Sequence, residues 1–370
     1  MSIVLVSGVG SHNGGAELML YAAAGEVRRH GDVPVADMRR TDRRLLGAWG
    51  VGRYLSVPRL GRAESLGLAA LPRPLQRAAG VSSSSGVDAV LDASGYAFGD
   101  KWPLEPIRLR AAIARRWARR GLTTVYLPQS FGPFEDPEKR ELIAEMLSNA
   151  ALICARDEES FAHLQGIGLA TSTLITAPDI TIGVRAPEYR GEMPGDVAII
   201  PNVNLVERSQ AQDARGRYVA SLTAMAAALV GHGLRPFLLV HSRVGDPEIA
   251  QECHSLAPWL TVTSPRDGLE AKAVLARCAG VVSGRYHGLV SALSSGVPSI
   301  GHSWSHKYEH LLADFGAAAW LAEPFDGPAS AEMLIGALAS KDFAADNEQS
   351  VHDLRGQVRR MWEQVERILW

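Results

Sequence analysis

The sequence predicts an α/β protein built from two doubly wound, Rossmann-like domains. Length is the first observation, because 370 residues are too many for one ordinary domain and suit two. The second is that short apolar runs, typical of buried parallel strands, alternate with helical periodicity along most of the chain. A polar segment containing Pro and Gly at 183–195 interrupts this alternation and predicts a linker. We therefore expect an N-terminal domain at 1–182, a C-terminal domain at 196–345 facing it across a cleft, and a helix at 346–370 that braces the two.

The composition is that of an ordinary soluble globular protein. Hydrophobic residues make up 46% of the chain and the formal net charge is −2, a balance that gives no reason to expect nucleic acid as a partner. No uninterrupted apolar run reaches the length of about 18 residues that a membrane span needs, and Met1 enters a strand without a charged leader. These features predict a cytoplasmic protein. Three cysteines, Cys154, Cys253 and Cys278, fit neither a disulfide framework nor zinc spacing, and we expect them in the core.

A glycine-rich loop precedes the first predicted helix. The segments of this βαβ unit are a strand at 2–7, the loop at 8–15, a helix at 16–29 and a strand at 33–36. A dinucleotide site with Asp37 as the ribose-binding acid is one interpretation, but Asn13 stands where the third glycine of G-x-G-x-x-G belongs. Glu17, in the first helical turn, is explained equally well by the helix dipole.

The segment 56–86 breaks the α/β pattern and predicts an excursion from the domain. It contains several Pro and Ser residues and the arginines Arg59, Arg62, Arg73 and Arg77. Such a run is typical of a solvated face, of a contact for an anionic acceptor, or of peripheral contact with the inner face of a membrane. The sequence leaves these alternatives open.

Glycines and polar residues follow the predicted strands of the first half. In chain order they are Gly95, Asp100, Gln129, Arg156 and Asp179. Gly95 suits a close backbone approach to a ligand or a tight turn. Gln129 suits a hydrogen bond to a substrate hydroxyl or a purely structural turn, and Arg156 suits an anion contact or a pair with a neighbouring carboxylate.

Positive side chains cluster where two helices of the second half begin. The stretch 279–315 predicts strand, helix, strand and helix. The cations at its helix starts are Arg285, His287, His302, His306 and Lys307. Helix N-termini carry the positive end of the dipole, so sequences normally place Asp or Glu there. Cations at two such positions predict a bound anion at the carboxyl edge of the sheet. Each cation considered alone is also typical of a solvated loop residue or a buried core residue.

The string Ser283-Gly-Arg-Tyr-His287, followed by Ala292, Gly296, Pro298 and Lys307, resembles the signature of the polysaccharide pyruvyl transferase family. Other strings similar to family elements are Asn13-Gly-Gly-Ala-Glu17, Pro128-Gln-Ser-Phe-Gly-Pro133, Arg156-Asp-Glu-Glu-Ser160 and the acidic Asp179. The chain departs from the family at Ala93-Ser94-Gly95, where many members have a run of glycines, and at Trp304, where tyrosine is usual.

The resemblance implies the two-domain architecture of GT-B glycosyltransferases. It also implies transfer of a pyruvyl group from phosphoenolpyruvate to a sugar, commonly as a cyclic ketal. Phosphoenolpyruvate would be a donor substrate held by the C-terminal domain, and the N-terminal domain would bind the acceptor. No cofactor and no metal are expected, because fixed cations can stabilise the developing charge.

The expected site residues follow from this chemistry. Arg285 offers a planar fork and Lys307 a point charge for the phosphate and carboxylate of the donor. His287 is the expected acid and base, since pyruvyl transfer protonates the enol carbon and deprotonates hydroxyls. These three are the expected catalytic residues. The expected substrate-binding residues are Asn13, Gly14, Glu17, Gly95, Asp100, Gln129, Arg156, Asp179, Ser283, Tyr286, His302 and His306.

Several alternatives stay open. The base for a second hydroxyl is Asp179, Glu17 or Asp100, and the sequence does not choose among them. A GT-B glycosyltransferase would use the cation cluster to hold a nucleoside diphosphate, and a non-catalytic protein would use it to sense an anionic metabolite. The acceptor is expected to be a sugar, a glycan or a lipid-linked glycan, and its identity and the oligomeric state are not specified by the sequence.

Overall fold

The computed structural model describes residues 1–37, 40–55, 81–83, 86–303 and 307–370, and secondary-structure elements are numbered here over those residues. Most of the predicted excursion at 56–86, including its four arginines, lies outside the described residues. Trp304 and His306 lie outside them as well.

The chain divides into two compact units, each assembled from separate segments. The first comprises 1–11, 19–180 and 357–370, and the second comprises 12–18 and 181–356. The predicted linker at 183–195 therefore lies in the second unit, whose main segment begins at Thr181.

A parallel sheet of nine described strands forms the centre of the first unit. These strands are β1 (Ile3–Ser7), β2 (Val33–Asp37), β3 (Gly52–Leu55), β4 (Val81–Ser83), β5 (Ala89–Asp92), β6 (Tyr96–Phe98), β7 (Thr123–Phe131), β8 (Leu152–Ala155) and β9 (Leu174–Thr176). Their order is β4-β3-β2-β1-β5-β7-β8-β9, with β6 paired to the end of β7. The order reverses between β1 and β5, which is the doubly wound topology predicted from the sequence.

Helices connect these parallel strands, as βαβ units require. They are α1 (Gly14–Arg29), α2 (Arg43–Ala48), α3 (Leu104–Arg119), α4 (Pro137–Leu147) and α5 (Glu158–Gly166). At the start of α4, Asp136 accepts hydrogen bonds from the backbone N–H groups of Glu138 and Lys139, and Pro137 takes the first helical position.

The second unit repeats the topology with a parallel sheet of six described strands. These strands are β10 (Val197–Ile200), β11 (Pro236–Leu239), β12 (Val262–Thr263), β13 (Gly280–Ser283), β14 (Ser299–His302) and β15 (Leu321–Ala322). Their order is β12-β11-β10-β13-β14-β15, so the switch point lies between β10 and β13. The loops that leave these two neighbouring strands therefore meet at the carboxyl edge of the sheet.

Eight described helices accompany the second sheet. They are α6 (Val203–Glu207), α7 (Ala214–Gly231), α8 (Asp246–Leu256), α9 (Gly268–Leu275), α10 (Tyr286–Leu293), α11 (Lys307–Asp314), α12 (Gly327–Ala339) and α13 (Lys341–Leu369). The last helix begins at Lys341 instead of the predicted 346; it belongs to the second unit through Gly356 and to the first from Gln357.

The core of the second unit lies on both faces of its sheet. Along β10, Val197 and Ile199 join one apolar cluster while Ala198 and Ile200 join another. Successive side chains of a strand point to opposite faces, so both faces are covered, as in parallel sheets generally. The three cysteines are buried and unbridged, in agreement with their expected core role.

Strand β7 continues through Gln129, which was expected to follow the strand, and ends at Phe131. Its Ser130 and Phe131 pair with β6, a short strand that is not predicted and lies in a glycine-containing segment. Pro128 has no N–H group for the sheet, and the register of β7 against β8 shifts between Tyr126 and Gln129. Pro128, a residue type typical of loops, thus lies in an irregular part of β7.

Candidate active site

The loop after β13 makes a tight turn into α10 at the switch point of the second sheet. Ser283 Oγ accepts a hydrogen bond from the N–H of Arg285 at 3.0 Å, so this predicted binding residue shapes the turn. Gly284 lies against Asn202 in the loop after β10, because a Cβ atom on Gly284 would come within 2.8 Å of Asn202 Cβ. Helix α10 has no acidic residue in its first turn, and no described side chain caps it. Its first N–H groups therefore present the positive end of the helix dipole to this edge.

Arg285, the residue before α10, has an internal counter-ion. Its Nε donates to Asp246 Oδ2 at 2.8 Å, and its Nη2 donates to Asp246 Oδ1. Both residues are buried, and Asp246 Oδ1 also accepts from the N–H of Val203 at 3.0 Å. Burial raises the pKa of the Asp246 carboxyl, and the bond from Arg285 opposes that rise.

This pairing corrects the premise that Arg285 lies ready to bind an external anion. Asp246 lies 39 residues earlier in the sequence, at the start of α8, where no local pattern could reveal it. The pair uses Nε and Nη2, and Nη1 has no hydrogen-bond acceptor among the described residues. The anion-binding role of Arg285 stays a prediction, now restricted to that part of its guanidinium.

Residues 12–18 form part of the second unit and lie against the loop after β11. Asn13 and Ser242 form an antiparallel bridge, in which Gly14 N–H donates to the carbonyl of His241 at 3.0 Å. The Asn13 side chain accepts from Gly15 N–H at 2.8 Å and so caps the start of α1. The predicted binding residues Asn13 and Gly14 therefore hold the loop and the helix start together.

Glu17 completes this attachment. It is 1% exposed; Oε1 lies 2.5 Å from Arg243 Nη1, and Oε2 accepts from Gly268 N–H at 2.7 Å. Burial raises the pKa of Glu17, against the lowering effect of Arg243. Glu17 thus joins the first turn of α1 to the loop after β11 and to the start of α9.

Two histidines lie against the glycines that begin α1. A Cβ atom on Gly15 would lie 2.2 Å from His287 Nδ1, and one on Gly14 would lie 3.2 Å from His241 Cε1. Glycine is therefore required at Gly15 for the helix to approach His287. His241 is missing from the sequence-based prediction, although it lies two residues after the end of β11 and a position at the carboxyl end of a strand was a usable signal.

His241 is buried without a partner. It is 4% exposed, and among the described residues neither of its ring nitrogens has a hydrogen-bond partner. Burial lowers its pKa to about 3, and the neighbouring His287 and Arg285 act in the same direction. His241 is therefore neutral at physiological pH.

Lys307 lies beside two aromatic rings at the start of α11. Its Nζ is 5.5 Å from the ring centroid of Tyr286 and 5.5 Å from that of Tyr308. The two rings meet edge to face, and the Tyr308 hydroxyl donates to the carbonyl of Gly284 at 2.7 Å. Cation–π attraction thus orients Lys307 relative to the turn that begins α10.

His302 has a structural environment. It is buried, and its Nε2 lies 3.0 Å from Ser330 Oγ on α12. Because the Ser330 hydroxyl donates to the carbonyl of Asp326, the histidine nitrogen must be the donor in this pair. Burial lowers the pKa of His302 to about 4. A role for His302 in substrate binding stays a prediction.

In the first unit, a buried network joins Arg156 to Asp179. Arg156 Nη1 donates to Asp179 Oδ2 at 3.1 Å, and Nη2 donates to Ser130 Oγ at 2.8 Å. Ser130 in turn donates to Asp157 Oδ2 at 3.2 Å. The structure thus gives Arg156 an ion-pair partner, Asp179, that lies 23 residues later in the chain. A carboxylate held in this way is poorly suited to act as a base.

The remaining predicted residues of this unit are Gly95 in the loop after β5, Asp100 in the loop after β6, and Gln129 within β7. Asp100 accepts hydrogen bonds from the N–H groups of Glu135 at 2.6 Å and Asp136 at 3.3 Å, which gives it a turn-forming role. Gln129 is buried; its Nε2 lies 3.5 Å from Asp92 Oδ1, and its Oε1 has no partner among the described residues. Gly95 has φ +72°, a conformation that glycine adopts freely, and open space beside it.

The geometry thus groups the predicted residues by unit. The group in the second unit contains Asn13, Gly14, Glu17, Ser283, Arg285, Tyr286, His287, His302 and Lys307, and the group in the first contains Gly95, Asp100, Gln129, Arg156 and Asp179. Among the described residues, no three His, Cys, Asp or Glu side chains are arranged to hold a metal ion. Likewise, no helix in the described ranges is both long and apolar enough to cross a membrane.

Two Rossmann-like sheets, the second with a polar, positively biased carboxyl edge, define an α/β protein of the GT-B type. Solved structures agree with this fold. UDP-GlcNAc 2-epimerase from Neisseria meningitidis matches 99% of this chain and 100% of its own, with a TM-score of 0.60 and 11% identity. Anabaena HepE matches 100% of this chain and 99% of its own, with a TM-score of 0.60 and 12% identity. A glycosyltransferase from Rickettsia africae matches 99% of this chain and 98% of its own, with a TM-score of 0.56 and 13% identity.

Sequence comparison is more specific. The family model for polysaccharide pyruvyl transferases matches residues 13–306, most of the chain. The protein therefore belongs to the polysaccharide pyruvyl transferase family. The match begins at Asn13 and contains the whole string from Ser283 to His287. None of the curated proteins compared with the chain matches it.

Proposed function

We propose that this protein transfers a pyruvyl group from phosphoenolpyruvate to hydroxyls of a sugar or glycan and releases phosphate. The observation that carries the proposal is the start of α10, where N–H groups uncapped by any described side chain coincide with His287 in the first turn and Arg285 before it. A helix N-terminus of this kind favours an anionic ligand, and membership of the family supplies the reaction class.

The reaction converts phosphoenolpyruvate and two sugar hydroxyls into a ketal and phosphate. A proton adds to C3 of phosphoenolpyruvate and converts its methylene to a methyl group, while the oxygen of one sugar hydroxyl bonds to C2. The C2–O bond to phosphate then breaks, and a second hydroxyl oxygen bonds to C2 to close the ketal. Of the two hydroxyl protons, one balances the proton gained by C3 and the other leaves with phosphate.

His287 is our candidate for the proton transfers. An imidazole that exchanges protons near neutrality suits both protonation of C3 and deprotonation of a hydroxyl. Its place in the first turn of α10 puts it next to the N–H groups that would bind the anionic donor. A base for the second hydroxyl stays unassigned, because Glu17, Asp100 and Asp179 all hold internal hydrogen bonds.

Positive charge for the donor would come mainly from Lys307 and the start of α10. Arg285 is already neutralised by Asp246, so its contribution would be hydrogen bonds from Nη1 in a fixed orientation. This division of roles differs from the expectation that Arg285 is the principal binding cation. It also means that the ion pair with Asp246 would position the guanidinium before the donor arrives.

The proposed acceptor is a sugar or glycan, free or attached to a lipid carrier, and the proposed place of action is the cytoplasm. Peripheral contact with the inner membrane face belongs to the proposal only for a lipid-linked acceptor. The experiment is a thermal-shift titration with phosphoenolpyruvate and with UDP, followed by phosphate-release assays with candidate glycans. We expect phosphoenolpyruvate to raise Tm and UDP to leave it unchanged.

A glycosyltransferase that uses a nucleotide sugar is the second candidate. It is favoured by one specific observation: HepE, which shares the fold, was solved in complex with UDP and glucose. In that case the start of α10 would bind a diphosphate. A rise in Tm with UDP, together with no response to phosphoenolpyruvate, would establish this candidate over the first.

A further inference from the structure

His241 differs from the other deeply buried histidine of the second unit. His302 is equally inaccessible, but its ring nitrogen donates to Ser330. His241 has no partner for either ring nitrogen within the described part of the chain. A buried polar atom without a partner destabilises the fold, so its presence needs an explanation.

The surroundings of His241 indicate what the missing partner would be. Its ring abuts the backbone of Gly14, and its own carbonyl accepts from Gly14 N–H, so its backbone is fixed. The groups that act on it electrostatically are His287 and Arg285, and Arg285 is paired with Asp246. Neither of these neighbours offers His241 a carboxylate.

His241 is neutral in the folded protein. Burial lowers the pKa of His241 to about 3, and the electrostatic effects of His287 and Arg285 act in the same direction. A neutral imidazole carries one N–H donor and one acceptor nitrogen. At the carboxyl edge beside the uncapped start of α10, the donor would have an anionic oxygen as its natural acceptor.

We propose that His241 is a further substrate-contacting residue, whose neutral ring donates a hydrogen bond to an oxygen of the phosphorylated ligand held at the start of α10. This inference rests on the proposed function for the identity of the ligand, but not for the contact itself. In this role His241 binds and orients the ligand, and His287 moves the protons.

The test compares two variants of His241 in the full-length protein with a matched control. His241→Phe keeps an aromatic ring but removes both nitrogens, whereas His241→Gln keeps a donor. The control is His254→Phe, because His254 is a half-buried histidine of the same unit whose Nδ1 lies 2.9 Å from the carbonyl oxygen of Leu260. Each protein is titrated with phosphoenolpyruvate, inorganic phosphate and UDP, and Tm and the dissociation constant are measured.

We expect His241→Phe to keep or raise the Tm of the unliganded protein, because it removes an unpaired polar group. Its dissociation constant for phosphoenolpyruvate should rise by about tenfold or more, the effect of one hydrogen bond to a charged group, and His241→Gln should recover part of the loss. His254→Phe should lower Tm while leaving the dissociation constant unchanged.

Other results overturn the proposal. An unchanged dissociation constant in His241→Phe would make His241 a structural residue, and equal losses in both His241 variants would point to shape instead of hydrogen bonding. If UDP alone binds the wild type, the proposed function fails while the His241 contact is judged by UDP binding to the same variants. If none of the three probes binds the wild type, both proposals fail.

Discussion

The carboxyl edges of the two sheets both carry buried polar residues, but they satisfy those residues differently. In the first unit, Arg156 is bonded to Asp179 and Ser130, and Ser130 to Asp157, so these side chains supply one another's hydrogen bonds. In the second, Arg285 is paired, yet His241 has no partner within the described ranges and α10 begins without a side-chain cap. Among the described residues the first edge leaves an acceptor, Gln129 Oε1, without a partner, whereas the second leaves both nitrogens of His241 and the first N–H groups of α10. Unused donors suit an anionic ligand, so the second edge is the better candidate for a binding site.

Replacing His287 should have the largest effect on the function of the second edge. His287→Ala removes the proposed acid and base, and we expect phosphate release to fall by about 10²–10⁴-fold. Phosphoenolpyruvate binding should be weakened much less, because the start of α10 and Lys307 remain. Steady-state phosphate release and thermal-shift titration separate the two effects, and a variant with wild-type turnover would remove His287 from the mechanism.

Removing Arg285 alone should destabilise the second unit. Arg285→Ala leaves Asp246 buried without its counter-ion, which costs about 3–5 kcal/mol in the free energy of unfolding. The double variant Arg285→Met with Asp246→Leu removes both charges and should recover most of that loss. Denaturant unfolding measures the difference.

The double variant also separates stability from binding. If it is stable but no longer responds to phosphoenolpyruvate, Arg285 contributes through Nη1 as proposed. If it binds normally, the ion pair is structural, and the second edge resembles the first more closely than we suggest. A stable Arg285→Ala single variant would contradict the ion pair itself.

Acid should weaken the second unit through its buried histidines. His302 is neutral in the fold with its pKa lowered from 6.5 to about 4, while the unfolded chain gains the proton below 6.5. The stabilisation that depends on neutral His302 is therefore fully present above pH 6.5 and is lost as pH falls toward 4. For a pKa shift of this size, the free energy of unfolding falls by about 3 kcal/mol.

A variant without this titration tests the pH dependence. In His302→Leu, Ser330 still donates to Asp326, and the slope of unfolding free energy between pH 6.5 and 4 should become shallower. Unfolding measured at pH 8 provides the reference for each protein. An identical slope in the two proteins would show that His302 is not held neutral by the fold.

A substitution in α1 tests whether the helix start must contact His287. Gly15→Ala places a Cβ atom 2.2 Å from His287 Nδ1, so the ring or the helix must move. We expect a loss of about 1–3 kcal/mol in stability together with reduced turnover. Gly25→Ala in the same helix, where the nearest heavy atom would be 3.9 Å away, should instead stabilise the protein by about 0.5–1 kcal/mol. Similar effects of the two substitutions would contradict the close contact.

Local sequence patterns predicted much of the fold, but of the candidate site they predicted only the residues around the start of α10. The apolar runs located strands such as β10 and β13, and the cation cluster located the start of α10, because both features depend on neighbouring residues. Asp246 and His241 were missed because their roles depend on residues that folding brings together from 39 and 46 positions away in the sequence, at Arg285 and His287. Likewise, Glu17 carries a helix-start signature in the sequence, but its partner Arg243 lies 226 residues later.

The attachment of residues 12–18 has a practical consequence for anyone who wishes to excise half of this protein. A fragment that starts at Thr181 would lack residues 12–18, which lie against Arg243, Gly268 and His287. These residues would have to be added as a separate peptide or by fusion. A single cut in the chain therefore cannot separate the two units, because the second unit contains residues 12–18 as well as 181–356.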